Sequence, residues 1–200
     1  MKGTPGSRRE DEAPAARCDA PVRAIFLVGF MGAGKTSVGR VLSQRLGWRF
    51  EDLDDRIQAR EGRTIPEIFQ QSGEAQFRRS EVAALRELLA EVESGSSLIA
   101  ALGGGAFVQD EVASLLEDAG SVTVFLDAPA DELWRRCGAD VVERPLRREE
   151  AQFRQLYEAR RPRYLRAKLR VETGEREIER IAGEIVSGLR LDRRDCGEEK

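Results

Sequence analysis

Residues 24–47 read AIFLVGFMGAGKTSVGRVLSQRLG. Ile25 to Val28 form a short continuous apolar run, the pattern of a strand buried on both faces. A glycine-rich turn follows. From Lys35 to Leu46, Val38, Val41, Leu42 and Leu46 recur at helical spacing, and Gly47 supplies a C-terminal stop. Strand, glycine turn and helix in that order open a βαβ unit, so the chain is expected to carry a parallel sheet.

The turn itself, Gly29-Phe30-Met31-Gly32-Ala33-Gly34-Lys35-Thr36, fits G-x-x-x-x-G-K-[ST] in full. Such a loop turns successive backbone N–H groups inward around phosphate oxygens, and the helix behind it adds a partial positive charge. Gly32, Ala33, Gly34, Lys35, Thr36 and Ser37 are therefore the expected nucleoside-triphosphate contacts. Lys35 is expected on the β- and γ-phosphates and Thr36 on a Mg²⁺ ion. Switches, motors and small-molecule kinases all use this loop, so it does not name a reaction. No guanine-reading Asn-Lys-x-Asp is evident, which disfavours a GTPase switch.

Outward from that unit the alternation continues. Trp48–Asp52 reads as a second strand. Thr64-Ile65-Pro66-Glu67 has capping-box spacing with a proline in the first turn, so a helix is expected there, broken at Gly73. A longer amphipathic helix is expected over 74–92, then a strand at Leu98–Leu102, a helix near 111–118 and a strand at Val122–Leu126. A short helix at 130–136 precedes an arginine-rich loop at 138–148. The next helix is expected to kink or end at Pro162, followed by a strand at Leu169–Glu172 and a final helix at 175–189. Residues 1–22 and 191–200 read as polar, disordered tails around one domain at 23–190.

Composition narrows the chemistry. The 200 residues are 40% apolar and 34% charged, enough for a core under a solvated surface. With 33 basic against 36 acidic side chains, the charge balance disfavours a nucleic-acid-coating protein. Histidine is absent, which excludes His-based triads and imidazole metal sites. Cys18, Cys137 and Cys196 form no metal or disulfide spacing and suit a reducing cytoplasm. No apolar run is long enough to span a membrane, and a monomer suits the size.

Candidate acceptor residues lie after the other strands. Asp52 and Asp54 are read at the end of the second strand, where period-two alternation puts both carboxylates on one side. The alternative is that Asp54 or Asp55 caps a helix beginning near Arg56. Arg78 offers a planar fork for a carboxylate, or else pairs on the surface with Glu74 or Glu81. Gly103-Gly104-Gly105 allows a ligand close to the backbone, or makes a plain turn. Arg144 either closes with its loop over the transferring phosphoryl group or belongs to a plain solvated charged loop, and Arg160, just before Pro162, either points back into the site or does not.

Taken together, GFMGAGKT, FEDLDD, TIPEIFQQSGEAQFRRSE, LGGG, ERPL and RRPRY resemble the shikimate kinase family over about residues 25–189. The resemblance implies a P-loop fold of the nucleoside-monophosphate-kinase type, with strand order 2-3-1-4-5 and a mobile lid. It implies MgATP-dependent phosphorylation of the shikimate 3-hydroxyl on the route to chorismate. By motif matching, Asp54 is the implied base, and Arg78 with Arg160 the carboxylate clamp. Gly104 and Gly105 become backbone contacts, Arg144 a lid residue on ATP, and Asp52 a water-mediated Mg²⁺ partner. Arg176 falls where the family has an adenine-side contact, and either Arg135 or Arg136 falls to the lid. Rival readings are a gluconate-type kinase and a catalytically silent nucleotide-binding homologue that docks a protein.

Overall fold

A computed structural model describes residues 22–139 and 150–191. The expected tails apart from Val22 and the buried Leu191, and nearly all of the expected lid, Arg144 included, lie outside the described residues. Strand β1 (Ala24–Val28) is buried throughout, as its apolar run requires. Helix α1 (Lys35–Leu46) follows the glycine turn and stops at Gly47, whose φ of 65° is left-handed. Strand β2 (Arg49–Asp52) passes directly into α2 (Leu53–Glu61). Helix α3 (Ile65–Glu93) starts on the full Thr64–Glu67 capping box and kinks at Gly73, where φ is 76° and ψ 171°. Then come β3 (Leu98–Ala101), α4 (Asp110–Asp118), β4 (Val122–Asp127), α5 (Ala130–Ala139), α6 (Glu150–Tyr164), β5 (Leu169–Glu172) and α7 (Ile178–Gly188).

The five strands form one parallel sheet in the order β2-β3-β1-β4-β5. Helices α1 and α7 pack together, with α1 against β1, β2 and β3 and α7 against β5. On the remaining helices, α2 packs on α3, α3 on α4, and α5 on α6. The buried apolar side chains of strands and helices merge into one core. Every strand's C-terminal end opens on the same edge, the place where ligands bind in open α/β sheets. Among the described residues, no helix is long and apolar enough to cross a membrane.

Four expectations are corrected. Asp54 is not on the second strand: Asp52 accepts the Asp54 N–H at 3.1 Å and turns the chain into α2 at Leu53. The capping role expected of Asp54 or Asp55 thus belongs to Asp52. Helix α6 does not end at Pro162. Only one ladder bond is lost there, the Leu165 N–H still reaches Arg161 O at 3.1 Å, and buried Phe153, Tyr157 and Tyr164 hold the helix down. Helix α5 runs on to Ala139 rather than stopping at Arg136. Helix α7 starts at Ile178, because Glu175 takes a left-handed φ of 41° and its N–H bonds to Glu132.

Candidate active site

The phosphate loop is shaped by its glycines. Gly32 has φ 78°, and a Cβ there would stand 2.9 Å from Leu133 O, so any side chain is excluded by both conformation and space. Gly34, at φ 85°, precedes α1 in the left-handed region, and no side chain caps the helix. The first amides of α1 are thereby left facing the loop, an arrangement suited to an anion. The Lys35 ammonium folds back across the loop onto Gly29 O (3.0 Å) and Phe30 O (2.9 Å). Ser37 is exposed on the first turn of α1.

Thr36 donates its hydroxyl to Asp52 at 2.9 Å. One Asp52 oxygen fixes Thr36 and the other caps α2, so the α1 and α2 starts are bolted together. Among the described residues no cluster of three acidic or thiol groups could hold a metal alone. Thr36 and Asp52 are hard oxygen donors, and two such groups beside a phosphate cradle fit an ion that keeps water and phosphate ligands.

Asp54, on the first turn of α2, points at Gly103 in the turn after β3. A Cβ on Gly103 would lie 2.7 Å from Asp54 Oδ1 and 3.4 Å from Glu81 Oε1. Both oxygens are buried and neither has a hydrogen-bond partner. Burial, then the neighbouring Asp52 and Glu81 carboxylates, push the Asp54 pKa up to about 6. Burial likewise raises that of Glu81, against the pull of Arg78. These acceptors are arranged for donors from elsewhere, since an unmet buried acceptor is costly.

Two arginines frame the same turn. Arg78 on α3 bonds Glu81 at 2.9 Å and Glu74 at 3.0 Å, so the expected ion pair exists. The Glu74 arm is an exposed pair, but the other arm is not, because Glu81 is 1% exposed, and the Arg78 guanidinium lies where a Gly105 side chain would go. From the other side Arg160 on α6 reaches Gly104 O at 3.2 Å, with its guanidinium 5.8 Å from the Phe30 ring. Tyr164 also donates to Gly104 O. Asp54, Arg78, Gly104, Gly105 and Arg160 therefore meet at one place beside the phosphate loop.

Arg176 is not drawn to that loop. It is tied to Glu172 O at 2.8 Å and to Glu184 at 2.6 Å. Arg136 reaches Gly32 O at 3.4 Å and Thr173 O at 2.7 Å, with Glu132 orienting it. A cavity of about 550 Å³ adjoins it, lined by Pro129, Asp131, Glu132, Arg135, Gly174 and Glu175. Sequence reasoning left Arg135 and Arg136 undecided and gave Glu81 no role in the site. One signal for Glu81 was present: it lies four residues after Phe77 and four before Leu85, on the apolar stripe of its helix, where an acid needs a reason.

A phosphate-type loop and, beside it on the same sheet edge, a cluster of a buried acid and two arginines suit one class, the ATP-dependent kinases of small molecules. The chain belongs to the shikimate kinase family, whose model matches residues 31–190. A shikimate kinase of Persephonella marina is 35% identical over 170 residues, covering 84% of this chain and 100% of the relative. One of Synechococcus elongatus is 40% identical over 174 residues, covering 83% and 88%. The structure of shikimate kinase from Acinetobacter baumannii in complex with shikimate matches at a TM-score of 0.77 and 35% identity, covering 86% of this chain and 96% of that one.

Proposed function

We propose that this kinase transfers the γ-phosphoryl group of MgATP to the 3-hydroxyl of shikimate, giving shikimate 3-phosphate and ADP on the route to chorismate and the aromatic amino acids. The observation that carries the reading is the pair of unpartnered buried oxygens, Asp54 Oδ1 and Glu81 Oε1, set between two arginines. Unmet carboxylate acceptors suit hydroxyl donors, and planar forks suit a carboxylate. A small acid rich in hydroxyls satisfies both.

Asp54 takes the proton from the attacking hydroxyl as the oxygen closes on the γ-phosphorus and the bond to the ADP oxygen breaks. Arg78 and Arg160 hold the acceptor carboxylate, and the Gly104 and Gly105 amides fix its ring. Lys35 exchanges the Gly29 and Phe30 carbonyls for β- and γ-phosphate oxygens. Thr36 and Asp52 would hold the Mg²⁺ ion, which when bound would supply charge neutralisation across the phosphates. Arg144 adds a further positive charge from the lid. The nucleoside end of ATP lies toward Arg136 and its neighbouring cavity. Such a transfer needs alignment and charge neutralisation more than covalent help, so the absence of histidine costs nothing.

ADP formation with Mg²⁺, measured with shikimate, gluconate or a nucleoside monophosphate as acceptor, tests this. Turnover with shikimate alone is expected. Turnover with another acceptor instead would overturn the clamp assignments, and nucleotide binding without any turnover would favour the silent homologue.

A further inference from the structure

One charged cluster around a buried acid has no part in the chemistry described so far. Asp127, the last residue of β4, is 4% exposed. Its Oδ1 accepts from the Tyr157 hydroxyl at 3.0 Å, and its Oδ2 from Arg161 at 2.8 Å and Arg170 at 2.9 Å. Arg161 Nε also donates to the Tyr157 hydroxyl at 3.1 Å. A buried acid with such partners adds little net stability over an apolar side chain, while it fixes geometry strictly. The rest of β4, Val-Thr-Val-Phe-Leu, needs no acid at its end to be buried.

What the cluster holds is one face of α6. Tyr157 and Arg161 are four residues apart on that helix, and Arg160 lies between them. Beside this cluster, the Tyr157 hydroxyl also reaches Ala128 O at 3.1 Å and Tyr164 donates to Gly104 O, and there is an aromatic grip: Phe30 of the phosphate loop meets Phe153 at 5.0 Å and Tyr157 at 5.6 Å, edge to face, and Trp134 meets Phe153 at 5.1 Å. Apolar contacts press the helix into place but are non-directional, so they resist sliding and rotation weakly. The bonds to Asp127 are directional. A helix rotation of about 10° moves a group carried about 6 Å from the axis by about 1 Å. Misplacement on that scale is enough to spoil a positioned contact.

We infer that Asp127 is a positioning residue for the acceptor: by locking Tyr157 and Arg161 it sets the rotation of α6, and so aims Arg160 at the Gly104 turn. This rests on the reading of Arg160 as a carboxylate clamp. Asp127 touches neither substrate. Its effect should therefore appear in the Michaelis constant for the acid acceptor, not in that for ATP.

The test compares steady-state kinetics of Asp127→Asn, Tyr157→Phe, Arg160→Ala and the Asp127→Asn/Arg160→Ala double variant, with shikimate as the varied acceptor. Asparagine keeps the shape and one acceptor oxygen but removes the charge facing two arginines. Asp127→Asn is expected to raise the shikimate KM about tenfold and the ATP KM by less than about twofold. Tyr157→Phe, which keeps the ring against Phe30, should raise the shikimate KM about threefold. Added to Arg160→Ala, the Asp127 change should have almost no further effect, because the side chain it aims is gone. Full additivity, equal rises in both Michaelis constants, or a wild-type shikimate KM in Asp127→Asn would overturn the inference. If Asp127→Asn does not fold, an unchanged shikimate KM in Tyr157→Phe overturns it. Should Arg160→Ala itself leave that KM unchanged, the clamp reading falls and this inference with it; a raised KM there with no effect of Asp127→Asn removes this inference alone.

Discussion

Asp54 and Gly103 work as a pair. The glycine has no special backbone angle to justify it; its hydrogen is what leaves room for the Asp54 carboxylate 2.7 Å from where a Cβ would be. Gly103→Ala should therefore displace Asp54 rather than strain the turn, lowering kcat by about tenfold with ATP affinity intact. Kinetics with ATP and shikimate varied separately would check this, and an unchanged kcat would separate the two residues. Asp54→Asn keeps the volume and removes the proposed base, so kcat should fall by about a hundredfold or more while the ATP KM moves less than about twofold. Because burial and the neighbouring acids raise the Asp54 pKa to about 6, only the ionised fraction can accept a proton. The kcat/KM for shikimate should thus decline below about pH 6 on its acid limb. A flat profile down to pH 5 would argue against Asp54 as the group responsible.

At the scale of elements, α3 carries Arg78 and Glu81 of the proposed acceptor site on a helix with one strong beginning. Thr64 accepts from the Glu67 N–H and Glu67 reaches back to the Thr64 N–H at 2.7 Å, while Gly73 interrupts the helix one turn before Arg78. Thr64→Ala should cost about 1 kcal/mol of stability, read as a lower urea midpoint, with ATP affinity unchanged. No change in midpoint would mean that burial of Ile68 alone holds the first segment. This cap was legible in the sequence, as were β1, α1 and β5, since each depends on local pattern: an apolar run, a 3.6-residue stripe, a proline or a glycine. The start of α2 was not legible. Period-two alternation carried the strand through Asp54, whereas the side chain of Asp52 had already bonded its neighbour's amide and ended it. The left-handed turn at Glu175 was likewise not legible, and just after it Arg176 bonds Glu172 O and Glu184. Arg136 meets Gly32 and Thr173, and Asp127 meets Tyr157, 30 to 104 residues away, while Glu81 comes beside Gly103 only in the fold, and no local window contains those contacts.

For the molecule as a whole, the histidine count of zero makes neutral pH unusually quiet. The side chain that ordinarily titrates between pH 5 and 8 is missing, so carboxylates displaced upward by burial dominate that window. Asp54 is one, moving from 3.8 to about 6 on folding, and Glu81 shifts in the same direction. A raised acid favours the folded state fully below its unfolded pKa, and that contribution is lost as pH climbs through the folded value. For Asp54 the loss runs from about pH 4 to just above 6 and amounts to about 3 kcal/mol, from a shift of about 2 units. Glu67 and Asp110 act oppositely: partners hold them below their usual range, so their contributions fade only as pH falls through the acid range. Those groups are common to wild type and variant, and subtraction removes them. Asp54→Asn should accordingly be the more stable protein at pH 7.5, by up to about 3 kcal/mol, while turning over far more slowly. The difference should shrink through pH 6 and vanish below about pH 4, where both forms carry a neutral group at this position. Urea denaturation of both proteins in steps from pH 3.5 to 8 would measure it. A stability difference independent of pH would mean that the gain comes from packing or hydrogen bonding of the amide, and that folding does not hold a proton on Asp54.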